Sequence, residues 1–285
     1  MEVNYEKLSL GSILRYLVLI IVGLILMYPL FWMIGSAFKG NMDIFGGLSV
    51  FPPEGAARPE NFAMAWQINK NHNILFYFLN TLKFLIPKTL LTAISCTLTA
   101  YVVARLSFKG KKFVFTMIVV TLLMPELAFR IPLYLMYSKL GILNTYASLY
   151  IADLFATGSF FIFMEIQFMR SIPRELDEAA KIDGCNALQT LWYVIVPVLK
   201  PIIITACLLC FMWGMNDFQG PLIYLTKPTN ATLSIILKQQ LDGDAAIVYG
   251  KVFAASAIAL APMVIIFFAG SRYFVDGVAS TGGKE

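Results

Sequence analysis

Six stretches of this chain are continuously apolar, and most of its polar residues fall between them. They are Tyr16–Phe38, Asn80–Ala104, Phe113–Met136, Leu149–Met169, Val198–Leu225 and Val252–Ser271. Roughly 20 helical residues rising 1.5 Å apiece cross the hydrocarbon core of a bilayer, so each stretch is long enough to be a transmembrane helix. The strands of a membrane barrel would instead alternate apolar and polar positions over ~10 residues. The expected fold class is an all-α membrane protein with six transmembrane helices, forming one transmembrane domain over residues 1–285. The first stretch is too long in its apolar core for a cleaved leader, and no small-x-small site follows it, so it is read as a helix.

Composition agrees with this pattern. Charged residues make up 14% of the chain, where soluble domains carry about 25%. Such a chain needs lipid as its solvent. Six spans return both termini to one side. Lys7, Arg15, the RLSFKGKK loop, Arg170, Arg174, Lys181, Lys200, Arg272 and Lys284 make that side the more basic. It is therefore expected to face the cytoplasm. The formal net charge of +5 reflects this topology and does not suggest nucleic acid.

Between the spans, the long outer loop 39–79 holds FPPEGAARPENF, which is extended or turning. The outer segment from Thr226 to Gly250 holds LSIILKQQL, a short surface helix. No internal repeat is evident, which argues against a secondary transporter built from inverted halves. No GxxxxGK[ST] motif occurs, so any ATP must be bound by another chain. Cys207 and Cys210 have CxxC spacing, but on an apolar helix they read as two small buried residues. His72 has no companions for a metal site. No nucleophile, acid–base pair or metal cluster is visible, so the chain is expected to have no catalytic residues and no metal.

One segment breaks the apolar pattern. PRELDEAAKIDG begins at Pro173 and carries Arg174, Glu175, Asp177, Glu178, Lys181 and Asp183. Ser171 can cap a helix there, with Pro173 in its first turn and acidic residues near the positive end of its dipole. Gly184 is a natural stop. A second short helix is expected over Ala187–Val196, with Pro197 and Pro201 bounding the next span. A helical pair that is small on one face and charged on the other suits insertion into a partner's groove. A plain solvated loop remains the alternative.

Glu178-Ala179-Ala180, three residues, Gly184, nine residues, then Val194-Ile195-Val196-Pro197 resembles the EAA signature of permease subunits of bacterial ABC importers. Val194 stands where the signature has Ile, and Val196 where it has Leu. YVVARLSFKGKK, MPELAFRIPLYLMYSKLGILNTY and RYFVDGVAS extend the resemblance over nearly the whole chain, to the maltose-type second permease of carbohydrate-uptake systems. The family commonly has Trp before an Asn-Asp pair in the fifth span, and here Met215 takes that place in WGMNDFQGP.

The resemblance implies an ABC importer permease fold with a cytoplasmic coupling helix between spans 4 and 5, in the loop 171–197. It implies that Glu175, Glu178, Ala179, Ala180, Asp183 and Gly184 dock into a separate ATPase. That ATPase would hold ATP and Mg, and this chain would bind no cofactor. The implied partners are a homologous permease in a heterodimer, two ATPase subunits and an extracytoplasmic solute-binding protein, in the bacterial cytoplasmic (inner) membrane. The implied cargo is a sugar or oligosaccharide. A secondary transporter or channel, an intramembrane enzyme, and an ABC permease for a non-sugar solute are the rival readings.

Charges within the spans are costly and normally face a cavity or a partner. Lys83 and Lys88 lie on the second span, Glu126 and Arg130 four apart on the third, Asp153 on the fourth and Asp217 on the fifth. Lys88, Arg130, Asn216 and Asp217 are candidates to line a polar translocation route. Glu126 paired with Arg130, a snorkelling Lys83 and a locally bonded Asp217 form the plainer reading. The basic groups also raise the expectation of a uronic-acid cargo.

Overall fold

A computed structural model describes residues 10–242 and 247–282, with side chains described for 11–242 and 247–271. Lys7 and Lys284 of the orientation argument lie outside the described residues, as do the side chains of RYFVDGVAS. No strand occurs among the described residues.

The helices run in the order α1 (Leu10–Ser36), α2 (Asn41–Phe45), α3 (Glu60–Trp66), α4 (Ile74–Arg105), α5 (Lys111–Leu123), α6 (Leu127–Lys139), α7 (Ser159–Ser171), α8 (Glu175–Ile182), α9 (Ala187–Gln189), α10 (Val196–Asn216), α11 (Gln219–Tyr224), α12 (Leu233–Gln239) and α13 (Tyr249–Gly282). Among the described residues five helical runs are long and apolar enough to cross a membrane, and α5 with α6 makes a sixth if that bent pair is one span.

The contacts divide the chain into two compact units, Met1–Asn71 with Gln240–Ile258 and His72–Gln239 with Ala259–Glu285. In the first, the loop after α1 is tied down by side-chain amides. Asn61 Nδ2 donates to the carbonyls of Ala37 (2.9 Å) and Lys39 (3.1 Å). Asn41 Oδ1 accepts from the Tyr249 N–H at 2.9 Å, and Lys251 Nζ donates to Ile68 O at 3.0 Å.

In the second unit α4 is the central helix, packed most extensively on α7 and then on α10. Cys96, Ala100, Tyr101, Ile162, Ile166, Met169, Leu191, Ile195, Leu199 and Ile202 form its buried core. Small residues at 96 and 100 let the neighbouring helices approach closely, which replaces the hydrophobic drive that lipid cannot supply.

Several predicted spans are broken or shifted, each for a local reason. The stretch expected to be one helix over 113–136 bends by 103° between α5 and α6. Met124 precedes Pro125 and is extended, with ψ 138°, because the proline ring excludes the α conformation from the residue before it. The stretch expected over 149–169 starts as 3-10 turns, Tyr146–Leu149 and Ile151–Phe155, with Ala156 left-handed at φ 56° before α7. Polar side chains of α4 hold this irregular backbone: Ser95 Oγ donates to Asp153 O (2.6 Å) and Thr92 Oγ1 to Asp153 Oδ1 (3.2 Å).

The stretch expected to end at Leu225 stops at Asn216, where Asp217 turns extended and accepts from the Gly220 N–H at 3.0 Å. Pro197 and Pro201 do not bound that helix, which runs from Ala187 to Asn216. Its Thr190–Ile195 segment is π-helical, and that wider winding just before Pro197 absorbs the missing N–H and the ring clash.

Candidate functional site

The charged loop is built of two short helical segments closed by defined caps. α8 begins after Arg174, whose carbonyl accepts from the N–H groups of Asp177 (2.9 Å) and Glu178 (3.2 Å). Ser171 does not cap it. Ser171 is the last residue of α7, and its hydroxyl donates back to Phe168 O at 2.8 Å. Helix α7 reaches too far for Ser171 to serve the next helix. Three acidic residues, Glu175, Asp177 and Glu178, occupy the first turn of α8, where the helix dipole favours them.

Gly184 ends α8 at φ +81°. The Cys185 N–H reaches Ala180 O at 2.9 Å and the Gly184 N–H reaches Lys181 O at 3.1 Å. This is a Schellman closure, which requires a left-handed residue and hence favours glycine. The chain then restarts through a capping box, with Asn186 and Gln189 each accepting from the other's backbone N–H.

Of the six predicted coupling residues, Glu175, Glu178, Ala179, Asp183 and Gly184 are exposed, and Ala180 is buried. Ile182, Leu188 and Tyr193 are exposed beside them. The loop therefore presents an acidic and apolar knob that no described residue of this chain covers.

The underside of that knob is fastened to the end of α4. Arg105 Nη1 lies 2.9 Å from Asp177 Oδ2, with both side chains largely buried, and Arg105 Nη2 donates to Ile172 O at 3.0 Å. Arg174 returns the contact, donating to Arg105 O (2.9 Å) and Ala104 O (3.0 Å). Two guanidinium groups thus join α4 to the start of α8 through ion-pair and carbonyl contacts that resist shear. The sequence reading passed over Arg105 and Asp177 as partners. Their 72-residue separation leaves no local signal.

Of the four candidates for a polar route, the structure brings two together among the described residues. Arg130 Nη2 lies 2.9 Å from Glu126 Oε1 and 3.6 Å from Asp217 Oδ1. Gly220 packs against this pair, and a Cβ there would stand 3.0 Å from Arg130 Nη1. Asn216 points away, donating to Met212 O of its own helix at 2.9 Å. Lys88 is half-buried, and its charge acts on Asp153. Lys83 donates to Asn80 Oδ1 at 2.9 Å and lies over the rings of Phe76 and Tyr146. Arg130 therefore stands between two carboxylates.

One intramembrane carboxyl escaped the sequence reading. Glu165 on α7 is fully buried, with the Thr97 hydroxyl of α4 as its polar neighbour. The signal was a lone acid inside SFFIFMEIQFMRS.

Comparison with known proteins accords with this geometry. The model of the family described as binding-protein-dependent transport system inner membrane component matches residues 96–280. The chain is 31% identical to the probable ABC transporter permease protein YurM of Bacillus subtilis (strain 168), over 98% of this chain and 91% of that one. It is 29% identical to the lactose transport system permease protein LacG of Rhizobium radiobacter, over 94% and 95%. The fold matches a chain from the crystal structure of a bacterial ABC transporter involved in the import of the acidic polysaccharide alginate, with a TM-score of 0.78 over 95% of this chain and 99% of that chain at 21% identity. The chain therefore belongs to the family of inner membrane components of binding-protein-dependent transport systems.

Proposed function

We propose that this chain is a permease subunit of an ATP-driven importer of sugars or oligosaccharides, and that α8 is the lever through which a separate ATPase moves it. The observation that carries the reading is the exposed acidic and apolar knob of α8, held to α4 by Arg105, Asp177 and Arg174. A push on α8 is transmitted to α4 because these contacts are short and the Arg105–Asp177 pair is largely buried. It reaches α10 through the unbroken helix that starts at Ala187.

In this reading Glu175, Glu178, Ala179, Asp183 and Gly184 meet the ATPase, and Ala180 packs beneath them. ATP and Mg belong to that partner. A second, homologous permease completes the pathway, two ATPase subunits drive it, and an extracytoplasmic binding protein delivers the solute. Both termini and α8 face the cytoplasm. Arg130 of α6 and Asp217 at the end of α10 line the route as a pair, and Lys88 and Asn216 stand apart from them along it. The sugar cargo is supported by the relative named for lactose transport.

The test is affinity purification of the full chain from its own membranes, with the bound proteins identified. Recovery of a second permease and a Walker-type ATPase, with the ATPase lost on Glu178→Lys, is the expected result. Recovery of the chain alone, with ATP-independent solute flux after reconstitution, would sink the reading. Glu178 is exposed and off the Arg105–Asp177 contact, so this substitution leaves the fold intact. Gly184 is a poorer probe, because any side chain there strains the left-handed turn.

A further inference from the structure

A groove of about 520 Å³ lies where the ends of α4, α5 and α7 converge. Its walls are Val103, Phe108 and Phe115, and its cations are Lys111, Lys112 and Arg170. Among the described residues no acidic side chain lines it. Lys111 is committed to the chain, donating to Leu106 O at 2.9 Å. It is also close enough to Arg170 and Arg174 for their charges to repel. Arg105 is neutralised by Asp177, and Arg174 is spent on two carbonyls. Lys112 and Arg170 are exposed and have no carboxylate partner among the described residues. The Arg170 guanidinium lies 4.6 Å from the Phe115 ring centroid, which holds it at the groove. Like charges held together with no counterion among the described residues call for an anion from outside.

The surroundings identify that anion. Phe113, Met117 and Val120 on α5 are exposed apolar residues continuing along the helix from the cationic rim. In a membrane such a face meets acyl chains. A ligand that carries an anion directly above hydrocarbon matches both features, whereas a free anion or an acidic protein loop matches only the first. We infer that Lys111, Lys112 and Arg170 form a binding site for the phosphodiester of an anionic phospholipid, with the acyl chains lying along α5. This rests on the proposed orientation, which puts this end of the helices at the cytoplasmic leaflet. The site adjoins Arg105 and Arg174, so a bound headgroup would relieve repulsion next to the lever.

The test needs no transport. The full chain, purified in detergent and stripped of lipid, is titrated with phosphatidylglycerol, with phosphatidylcholine and with inorganic phosphate, and bound lipid is counted by native mass spectrometry. The expectation is a preference for phosphatidylglycerol over phosphatidylcholine of about tenfold, from a few surface cations acting together. That preference should disappear in the Lys112→Gln, Arg170→Gln double variant and fall by roughly half on a logarithmic scale in Lys112→Gln alone. Lys70→Gln, an exposed cation in the loop between α3 and α4, should leave it unchanged. The site is refuted if the double variant keeps the preference, if Lys70→Gln removes it equally, or if inorganic phosphate displaces the lipid as readily as phosphatidylglycerol binds. A failure here leaves the ATPase-recovery result untouched, so the two proposals fall separately.

Discussion

Helices α1 and α4 are both apolar runs long enough to cross a membrane, and they differ in what surrounds them. None of the apolar window of α1 is buried, while a third of that of α4 is. The buried helix is the less apolar of the two. It holds Asn80, Thr81, Thr92, Ser95, Thr97 and Arg105, all buried. Most of them bond another segment: Asn80 the carbonyls of Thr229 and Ala231, Thr81 the Leu233 N–H, Ser95 and Thr92 Asp153, and Arg105 Asp177. From Leu17 to Leu26, α1 is Leu, Ile and Val but for Gly23. A polar group inside lipid needs a partner, so polar residues in an apolar run mark where protein, and not lipid, is the neighbour.

The sharpest way to break this contrast is at Arg105. Arg105→Ala leaves Asp177 and Ile172 O without their partner in a largely buried site. The expected loss is about 3 kcal/mol or more of stability, seen as a lower unfolding midpoint in detergent and faster proteolysis of the loop 171–186. The double variant Arg105→Met, Asp177→Leu should recover most of that stability while still uncoupling transport, because it restores packing without the directional contact. A double variant as unstable as the single one would deny that the ion pair joins the two elements.

A smaller effect is expected at Asn80, whose amide donates at 2.9 Å and 3.1 Å to the segment before α12. Asn80→Ala should cost about 1–2 kcal/mol, with hydrogen exchange rising at Leu233–Gln239. Unchanged exchange there would show that the segment is held by Thr81 alone. The smallest effect belongs to α1. Leu19→Ala and Leu26→Ala should change the stability of the purified chain by no more than about 0.5 kcal/mol, since both side chains are exposed and leave no cavity. A loss above about 1 kcal/mol at either would mean that protein covers α1, and the contrast with α4 would fail.

Much of the charged loop was legible because its signals are local. The acidic residues, the alanines and Gly184 mark out the body and the end of α8, Glu175–Ile182, although its start lies later than a cap at Ser171 would put it. Asn186 and Gln189, three apart, spell the capping box of α9 as plainly, whereas Ser171, expected to cap α8, belongs to α7. The bend after Met124 was also written in the chain, since Pro125 excludes the α conformation from its neighbour. It was overlooked because hydropathy alone runs smoothly across it. The Glu126–Arg130 pair followed from a spacing of four.

What the sequence by itself determined is whatever depends on neighbours within about one helical turn: apolar runs of membrane length, caps and stops, and the spacing of the EAA signature that placed the chain in its family. Only the tertiary structure decided that Arg105 meets Asp177, that Asp217 shares Arg130 with Glu126, that Lys112 and Arg170 border one groove, and that Glu165 is fully buried beside Thr97. Those groups are distant along the chain or depend on which helix face is covered. An apolar run carries almost no information about its own orientation around the helix axis, because every side of it is equally at home in lipid. The packing of α4 against α7 and α10 supplies that missing angle, and the site chemistry follows from it.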